Sequence, residues 1–111
     1  MFKDYPKEAD LDVTVLLPAY NEEEALPSVI DDVNKVMKGT KYRYEILVVD
    51  DASTDQTPKI AQEKGVSMVQ HVIQKGSGAS RRTGVVHARG EIVVVLDADG
   101  TYSPQEFACM H

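Results

Sequence analysis

Four short apolar runs, separated by longer segments with helical spacing, constrain the fold of this chain more than any other feature. The runs cover residues 13–17, 46–49, 68–73 and 92–96. Continuous apolar runs rich in β-branched residues are typical of strands that are buried on both faces. Strands that alternate with helices form parallel sheets with helices packed against them. We therefore predict an α/β fold: a Rossmann-like, mostly parallel sheet flanked by helices on both faces.

The segments between the runs carry signals for the ends of helices. Thr57-Pro58 predicts an N-cap followed by proline at the first helical position, and Gly65 predicts the end of that helix. A further helix is expected between the glycine-rich residues 75–78 and Gly90, which would end it.

Length and composition exclude several classes of protein. A chain of 111 residues forms at most one domain, and we expect residues 1–11 to be a polar lead-in and residues 12–111 the domain. The net charge of -6, without a cluster of basic residues, excludes nucleic acid as a partner. The N-terminus lacks the apolar region of a signal peptide and the apolar runs are too short to span a bilayer. A cytoplasmic location is therefore expected.

Polar residues follow three of the four predicted strands. They are Tyr20-Asn21-Glu22, Asp50-Asp51 and Asp97-Ala98-Asp99. In parallel α/β sheets, ligands bind outside the carboxyl ends of the strands. We therefore expect these three groups to converge on one ligand site.

Asp97 and Asp99 are candidate metal ligands. Strand side chains alternate with a period of two, so both carboxylates can point the same way. Carboxylate oxygens with open coordination positions suit Mg²⁺ or Mn²⁺. Because the run before them is the most apolar of the four, we favour a metal site over a pair of solvated turn residues.

Asp50 and Asp51 are adjacent carboxylates that repel each other, so at least one of them needs a donor partner. A nucleobase or ribose could supply it. Helix or turn capping by Asp51, Ser53 and Thr54 is the structural alternative. Asp51 could be functional while Asp50 is structural.

A glycine-rich turn, residues 76–78, precedes the third predicted helix and could offer N–H groups to a phosphate. Arg81 and Arg82 lie in the first turns of that helix. The signal is modest, because most such turns are plain connections. We expect His71 to be packed or at an edge and His87 to face solvent, and we assign neither of them a ligand.

Four of these segments, in this order and spacing, resemble the family 2 glycosyltransferases with a GT-A fold. The segments are Pro18-Ala19-Tyr20-Asn21-Glu22, Val48-Val49-Asp50-Asp51-Ala52-Ser53-Thr54-Asp55, residues 76–84 and Leu96-Asp97-Ala98-Asp99. Within that family the chain is most similar to the dolichyl-phosphate mannosyltransferase and polyprenyl-phosphate glycosyltransferase branch. The resemblance extends from about residue 13 to residue 107, and it implies the N-terminal, nucleotide-binding half of a GT-A fold.

The resemblance also implies a set of donor-site residues. The position of Asp51 holds the base, with Val49 beside it, and the Asp97-Ala98-Asp99 positions form the Asp-x-Asp motif that binds Mg²⁺ or Mn²⁺ and the diphosphate. The metal ligands would be Asp97 and Asp99. The expected residues that bind a UDP- or GDP-sugar are Pro18, Tyr20, Glu22, Val49, Asp51, Arg81, Asp97, Ala98 and Asp99.

The resemblance further implies transfer with inversion to an acceptor such as a polyprenyl or dolichyl phosphate, at a membrane surface. Many relatives have lysine where Ser77 stands, which puts a phosphate contact there in doubt. The family domain continues beyond the position of residue 111, so we expect the donor half alone, with the catalytic base elsewhere and little or no transfer. An uncovered sheet edge would then favour self-association.

Two alternative interpretations stay open at this point. The first is a nucleotide-binding fragment without catalytic activity. The second is a phosphatase, because residues 97–101 fit the Asp-x-Asp-Gly-Thr motif of haloacid dehalogenase-type enzymes. In those enzymes the motif follows the first strand, whereas here it follows the fourth, so we expect no phosphatase activity.

Overall fold

The computed structural model describes residues 11–98, in which four strands alternate with three helices. The elements are β1 Leu11–Ala19, α1 Leu26–Lys38, β2 Tyr44–Asp50, α2 Thr57–Glu63, β3 Ser67–Gln70, α3 Ser77–His87 and β4 Gly90–Val95. The predicted α/β alternation is confirmed. Within residues 11–98, no helix combines the length and the hydropathy needed to cross a membrane. Nearly all of the predicted lead-in, and Asp99, lie outside the described residues.

The described strands form one parallel sheet in the order β3-β2-β1-β4. The chain adds β2 and β3 on one side of β1 and then places β4 on the other side. The strand order therefore reverses beside β1. In open parallel sheets such a reversal opens a crevice at the carboxyl ends of the strands, where ligands bind.

Helices cover both faces of the sheet, as predicted. On one face, the buried side of α1 packs with alternate residues of β1, and Ala61 of α2 belongs to the same core. On the other face, Leu16, Leu47 and Val49 form a second cluster, and α3 lies against it at Gly84. Because strand side chains alternate, adjacent residues of β1 and β2 enter opposite cores.

The start of α2 differs from the prediction. Thr57 is the first helical residue, and Gln56 occupies the N-cap position without a side-chain cap. Asp55 takes over the capping, since its Oδ1 accepts hydrogen bonds from both N and Oγ1 of Thr57. Gly65, with φ +73°, follows the end of the helix as predicted.

The predicted end of α3 at Gly90 is wrong, because Gly90 opens β4 instead. A Cβ at Gly90 would lie 2.5 Å from Thr14 N and from Val13 C, so glycine is needed for close pairing with β1. The N–H of Gly90 also donates to Thr14 Oγ1 at 2.9 Å.

Two strands were predicted too long or too buried. β3 ends at Gln70, and the apolar residues that follow are exposed, Val72 at 94% and Ile73 at 65%. β4 contains the most apolar of the four runs but is not buried on both faces, since Ile92 is 59% exposed. Among the described strands, β4 pairs only with β1 and so lies at the edge of the sheet. Fewer neighbouring elements bury the side chains of an edge strand than those of a central strand.

Gly84 marks the closest approach of α3 to the sheet, and its substitution tests that packing. A Cβ at Gly84 would overlap Cδ1 and Cδ2 of Leu16 and lie 2.8 Å from its Cγ. Leu16 is fully buried, so it cannot move aside. We expect Gly84→Ala to lower the free energy of unfolding by roughly 1–3 kcal/mol, measured by urea denaturation.

Gly78→Ala is the matched control in the same helix. There, the nearest atom to a new Cβ is Nη1 of Arg82 at 3.7 Å, which is ordinary contact. Alanine is favoured over glycine within helices by up to about 1 kcal/mol, so stability should stay the same or rise. Equal losses at both positions would contradict the packing argument.

Candidate functional site

A cavity of about 310 Å³ opens at the carboxyl ends of β1, β2 and β4. It is lined by Pro18, Ala19, Tyr20, Glu22, Asp51, Gln74, Gly76, Ser77, Ser80, Asp97 and Ala98. The residues that follow three different strands therefore meet at one place, as the sequence predicts, and the start of α3 forms a further wall. The volume lies at the lower end of the range for small-molecule sites.

Six of the nine predicted donor-site residues line this cavity. Of the other three, Val49 is fully buried in the sheet beneath it. Arg81 lies beside the cavity, with Nη2 3.9 Å from Asp97 Oδ1. Asp99 falls outside the described residues. Nucleotide binding by the set as a whole remains a prediction.

Asp51 is held by three donors at the wall of the cavity, with only 6% of its side chain exposed. Oδ1 accepts from His71 Nδ1 and from the backbone N–H of Lys75, both at 2.8 Å. Oδ2 accepts from the N–H of Gly76 at 2.9 Å. Burial raises the pKa of Asp51, but the hydrogen bonds outweigh it and leave the pKa below its ordinary value. The site therefore holds a fixed, ionised carboxylate.

His71 is packed, as expected, but it also belongs to the site. Its side chain is 7% exposed, and its Nε2 lies 2.8 Å from Thr83 Oγ1 on α3. Sequence reasoning missed this link. The signal that could have found it is strand register, because Asp50 pairs with Gln70 and the next residue along each strand is then Asp51 and His71.

Asp50 points away from the cavity, into the opposite core. It is fully buried, and its Oδ2 accepts from the N–H of Ser53 at 3.2 Å. Ala52 between them has a positive φ of 63°. The turn is therefore capped by Asp50 and not by Asp51, as the structural alternative had it, while Asp51 faces the cavity.

The loop after β1 and the loop after β2 interlock and fix the wall that carries Tyr20 and Glu22. The N–H of Asn21 donates to Ser53 Oγ, and the N–H of Glu22 donates to Thr57 Oγ1, each at 2.8 Å. In return, Asn21 Oδ1 accepts from the N–H of Thr54 at 2.8 Å. The wall is thus built from reciprocal bonds between two loops.

The start of α3 offers fewer free N–H groups than the sequence indicated. Gly76 has φ 97° and ψ 166° at the N-cap, and the N–H groups of Lys75 and Gly76 are already bound to Asp51. Ser77 and Ser80 line the cavity at the first turn of the helix. A phosphate there would meet the helix from Ser77 onward.

Asp97 is the described half of the predicted metal pair. Its side chain is 60% exposed and lines the cavity, and its described partner is Arg81 at 3.9 Å. Within residues 11–98 no cluster of three or more His, Cys, Asp or Glu could hold a metal. Asp97 fits the site as one oxygen ligand, since Mg²⁺ and Mn²⁺ commonly take few protein ligands and complete their shells with water and phosphate oxygens.

The comparison with protein families decides the class of the chain. Residues 14–109 match the family model described as Glycosyl transferase family 2. The chain belongs to this family. Membership argues against the phosphatase interpretation of residues 97–101.

Individual relatives confirm the predicted fold and branch. Dolichyl-phosphate beta-glucosyltransferase of Mus musculus is 40% identical over 100 residues, which cover 79% of this chain and 31% of the relative. Mannosyltransferase PcManGT from Pyrobaculum calidifontis, in complex with GDP-Man and Mn²⁺, is 30% identical with a TM-score of 0.72, over 88% of this chain and 30% of that one. S. aureus TarS in complex with UDP-GlcNAc is 28% identical with a TM-score of 0.72, over 80% and 27%.

This family 2 chain thus spans about a third of the length of those relatives. Its parallel sheet with flanking helices corresponds to part of the GT-A fold of the two solved relatives.

The hydrogen bonds of Asp55 lead to a prediction about how acid changes the stability of the loops around the site. Besides Thr57, it accepts a hydrogen bond from the N–H of Glu23 at 3.2 Å. Burial raises the pKa of Asp55, but these bonds lower it further, to below the ordinary 3.8. The stability that Asp55 contributes is therefore present above pH 3.8 and is lost as the pH falls toward the depressed folded value.

We expect Asp55→Asn to lower stability at neutral pH and to reduce the loss of stability in the window below pH 3.8, in which the folded carboxylate becomes protonated. Urea denaturation across that window measures both effects. Glu63→Gln, at an exposed residue of α2, is the control and should follow the parent. A parent-like acid profile for Asp55→Asn would contradict the assignment.

Proposed function

We propose that this chain forms the donor-binding half of a metal-dependent glycosyltransferase. The enzyme would transfer a sugar from a UDP- or GDP-sugar, with inversion, to an acceptor such as a polyprenyl or dolichyl phosphate. The observation that carries the proposal is one cavity at the strand ends, faced by an ionised, anchored Asp51 and an exposed Asp97. The ligands named for the solved relatives, GDP-Man with Mn²⁺ and UDP-GlcNAc, support it.

The nucleoside would lie at the end of the cavity formed by Asp51 and the loop after β1. The Asp51 carboxylate can accept an N–H from the base, because an ionised carboxylate is an acceptor only. Tyr20 is 39% exposed and offers an aromatic surface beside it. Pro18 and Glu22 complete that wall. Val49 lies beneath and would act by packing rather than by contact with the nucleotide.

The diphosphate would lie toward Asp97 and the start of α3. Asp97 and Asp99 would hold the metal, with Ala98 between them at the cavity wall. When bound, Mg²⁺ or Mn²⁺ would offset the negative charge that develops on the leaving nucleoside diphosphate. Arg81, close to Asp97, is placed to contact diphosphate oxygens directly.

A phosphate acceptor would need no general base. A hydroxyl acceptor needs a general base to remove its proton as it attacks. A phosphate monoester is already ionised at neutral pH and needs only to be held in line with the anomeric carbon. A lipid-linked phosphate would place the protein peripherally at a membrane surface.

Nucleotide binding alone, without transfer, is the alternative function. An assay with Mn²⁺, labelled UDP-glucose or GDP-mannose and a polyprenyl phosphate distinguishes the two. Formation of a lipid-linked sugar that is lost in Asp97→Asn identifies transfer. Nucleotide binding without product is also expected of a donor half alone, whereas a chain that binds neither UDP nor GDP would overturn the proposal.

The metal assignment is tested by removing one carboxylate charge at a time. We expect Asp97→Asn and Asp99→Asn each to weaken metal-dependent binding of UDP or GDP about tenfold or more, equivalent to about 1.4 kcal/mol. Calorimetric titration with and without Mn²⁺ measures the effect. Glu63→Gln removes one negative charge away from the cavity and should bind as the parent does. Unchanged metal-dependent affinity in both aspartate variants would overturn the assignment.

A further inference from the structure

A line of hydrogen bonds joins Asp51, His71 and Thr83 across three elements. His71 Nδ1 lies 2.8 Å from Asp51 Oδ1, and Nε2 lies 2.8 Å from Thr83 Oγ1. The backbone N–H of His71 also donates to the carbonyl of Asp50 at 2.8 Å. The imidazole is thus fixed at both ring nitrogens and at its backbone, between the end of β2 and α3.

The direction of the bond to Asp51 does not depend on the charge of the ring. An ionised carboxylate can only accept, so Nδ1 carries a proton toward Asp51. In the neutral ring, Nε2 then accepts from the hydroxyl of Thr83. In the charged ring, Nε2 donates and Thr83 Oγ1 accepts. In both forms, the hydroxyl of Thr83 holds the ring in place and Nδ1 of His71 donates a hydrogen bond to Asp51 Oδ1.

The bonds to Asp51 leave little acceptor capacity for a ligand. A carboxylate offers about four lone-pair directions, two on each oxygen. Among the described residues, His71 and Lys75 occupy both directions on Oδ1, and Gly76 occupies one on Oδ2. One acceptor direction, on Oδ2, remains for a donor in the cavity.

A single acceptor distinguishes between bases by the number of N–H groups they present. Uracil presents one ring N–H between two carbonyl groups. Guanine presents a ring N–H beside an exocyclic amino group, and that pair is best matched by both oxygens of one carboxylate. A carboxylate with one occupied oxygen cannot satisfy both guanine donors, and a buried donor without a partner costs binding energy.

We propose that His71, anchored by Thr83, is a positioning residue that restricts Asp51 to one acceptor and thereby selects uracil over guanine nucleotides. The inference rests on the proposed donor site and names its base. His71 acts through Asp51 and does not itself line the cavity. The donor would accordingly be a UDP-sugar.

The test compares UDP and GDP binding, with Mn²⁺ present, in the parent chain and in variants of this hydrogen-bonded line. The parent should bind UDP at least tenfold more tightly than GDP. His71→Ala frees one direction on Oδ1 and releases the carboxylate, so UDP affinity should fall about tenfold and the UDP-to-GDP ratio should approach one. Thr83→Val keeps the shape but removes the hydroxyl, and it should lower the ratio by a smaller factor.

His71→Asn is the rescue variant, because its amide N–H can donate to Asp51 in the place of Nδ1. It should keep more of the UDP preference than His71→Ala does. His87→Ala is the matched control, since His87 is an exposed histidine on α3 that bonds only the carbonyl of Thr83 among the described residues. Its ratio should equal that of the parent.

The ratio separates positioning from a purely structural role. A structural role would lower the melting temperature and weaken UDP and GDP by the same factor, and an unchanged ratio in His71→Ala would overturn the inference. If His71→Ala does not fold, the ratio in Thr83→Val decides in the same way. A parent that prefers GDP would overturn the inference but leave the proposed function standing. A parent that binds neither nucleotide would overturn both.

Discussion

The candidate site depends first on the carboxylate of Asp51 and its three donors. These bonds join the end of β2 to the segment between β3 and α3. They consume the N–H groups just before α3 and so fix where that helix begins. The helix can then lie on the second core, where Gly84 meets Leu16. The Asp51 carboxylate therefore both lines the cavity and links two segments of the fold. This double role ties the geometry of the cavity to the packing of the sheet.

Adjacent aspartates serve opposite sides of the sheet because strand side chains alternate. Asp50 enters the core covered by α1 and α2 and closes a turn with Ser53. Asp51 emerges on the side of α3 and reaches the cavity. This separation relieves the repulsion expected between neighbouring carboxylates, although among the described residues Asp50 has one donor and its Oδ1 is buried without a hydrogen-bond partner. The sequence left open that Asp51 is functional while Asp50 is structural, but it predicted neither the opposite faces nor the partners of the two residues.

The parts of the fold that could be predicted from sequence are those set by local pattern. The central residues of β1 and β2 are continuously apolar because both faces of these strands are covered, and that pattern predicts a buried strand. β4 has the same apolar composition but lies at the edge of the described sheet, and composition does not encode which strand pairs with which. The link from His71 to Asp51 was missed for the same reason, since it follows from the lateral register of β2 and β3.

Asp51 and Asp97, which both line the cavity, differ in how their negative charge is balanced. This difference distinguishes the two ends of the site. Asp51 stays ionised, but His71, Lys75 and Gly76 donate hydrogen bonds to it, which leaves one acceptor direction on Oδ2 for a donor in the cavity. Asp97 is exposed and has only a distant arginine among its described partners. A diphosphate beside Asp97 would add negative charge to a chain that already carries a net charge of -6. One exposed guanidinium would not balance that charge, so under the proposed function the phosphate end would need a bound cation whereas the base end would not.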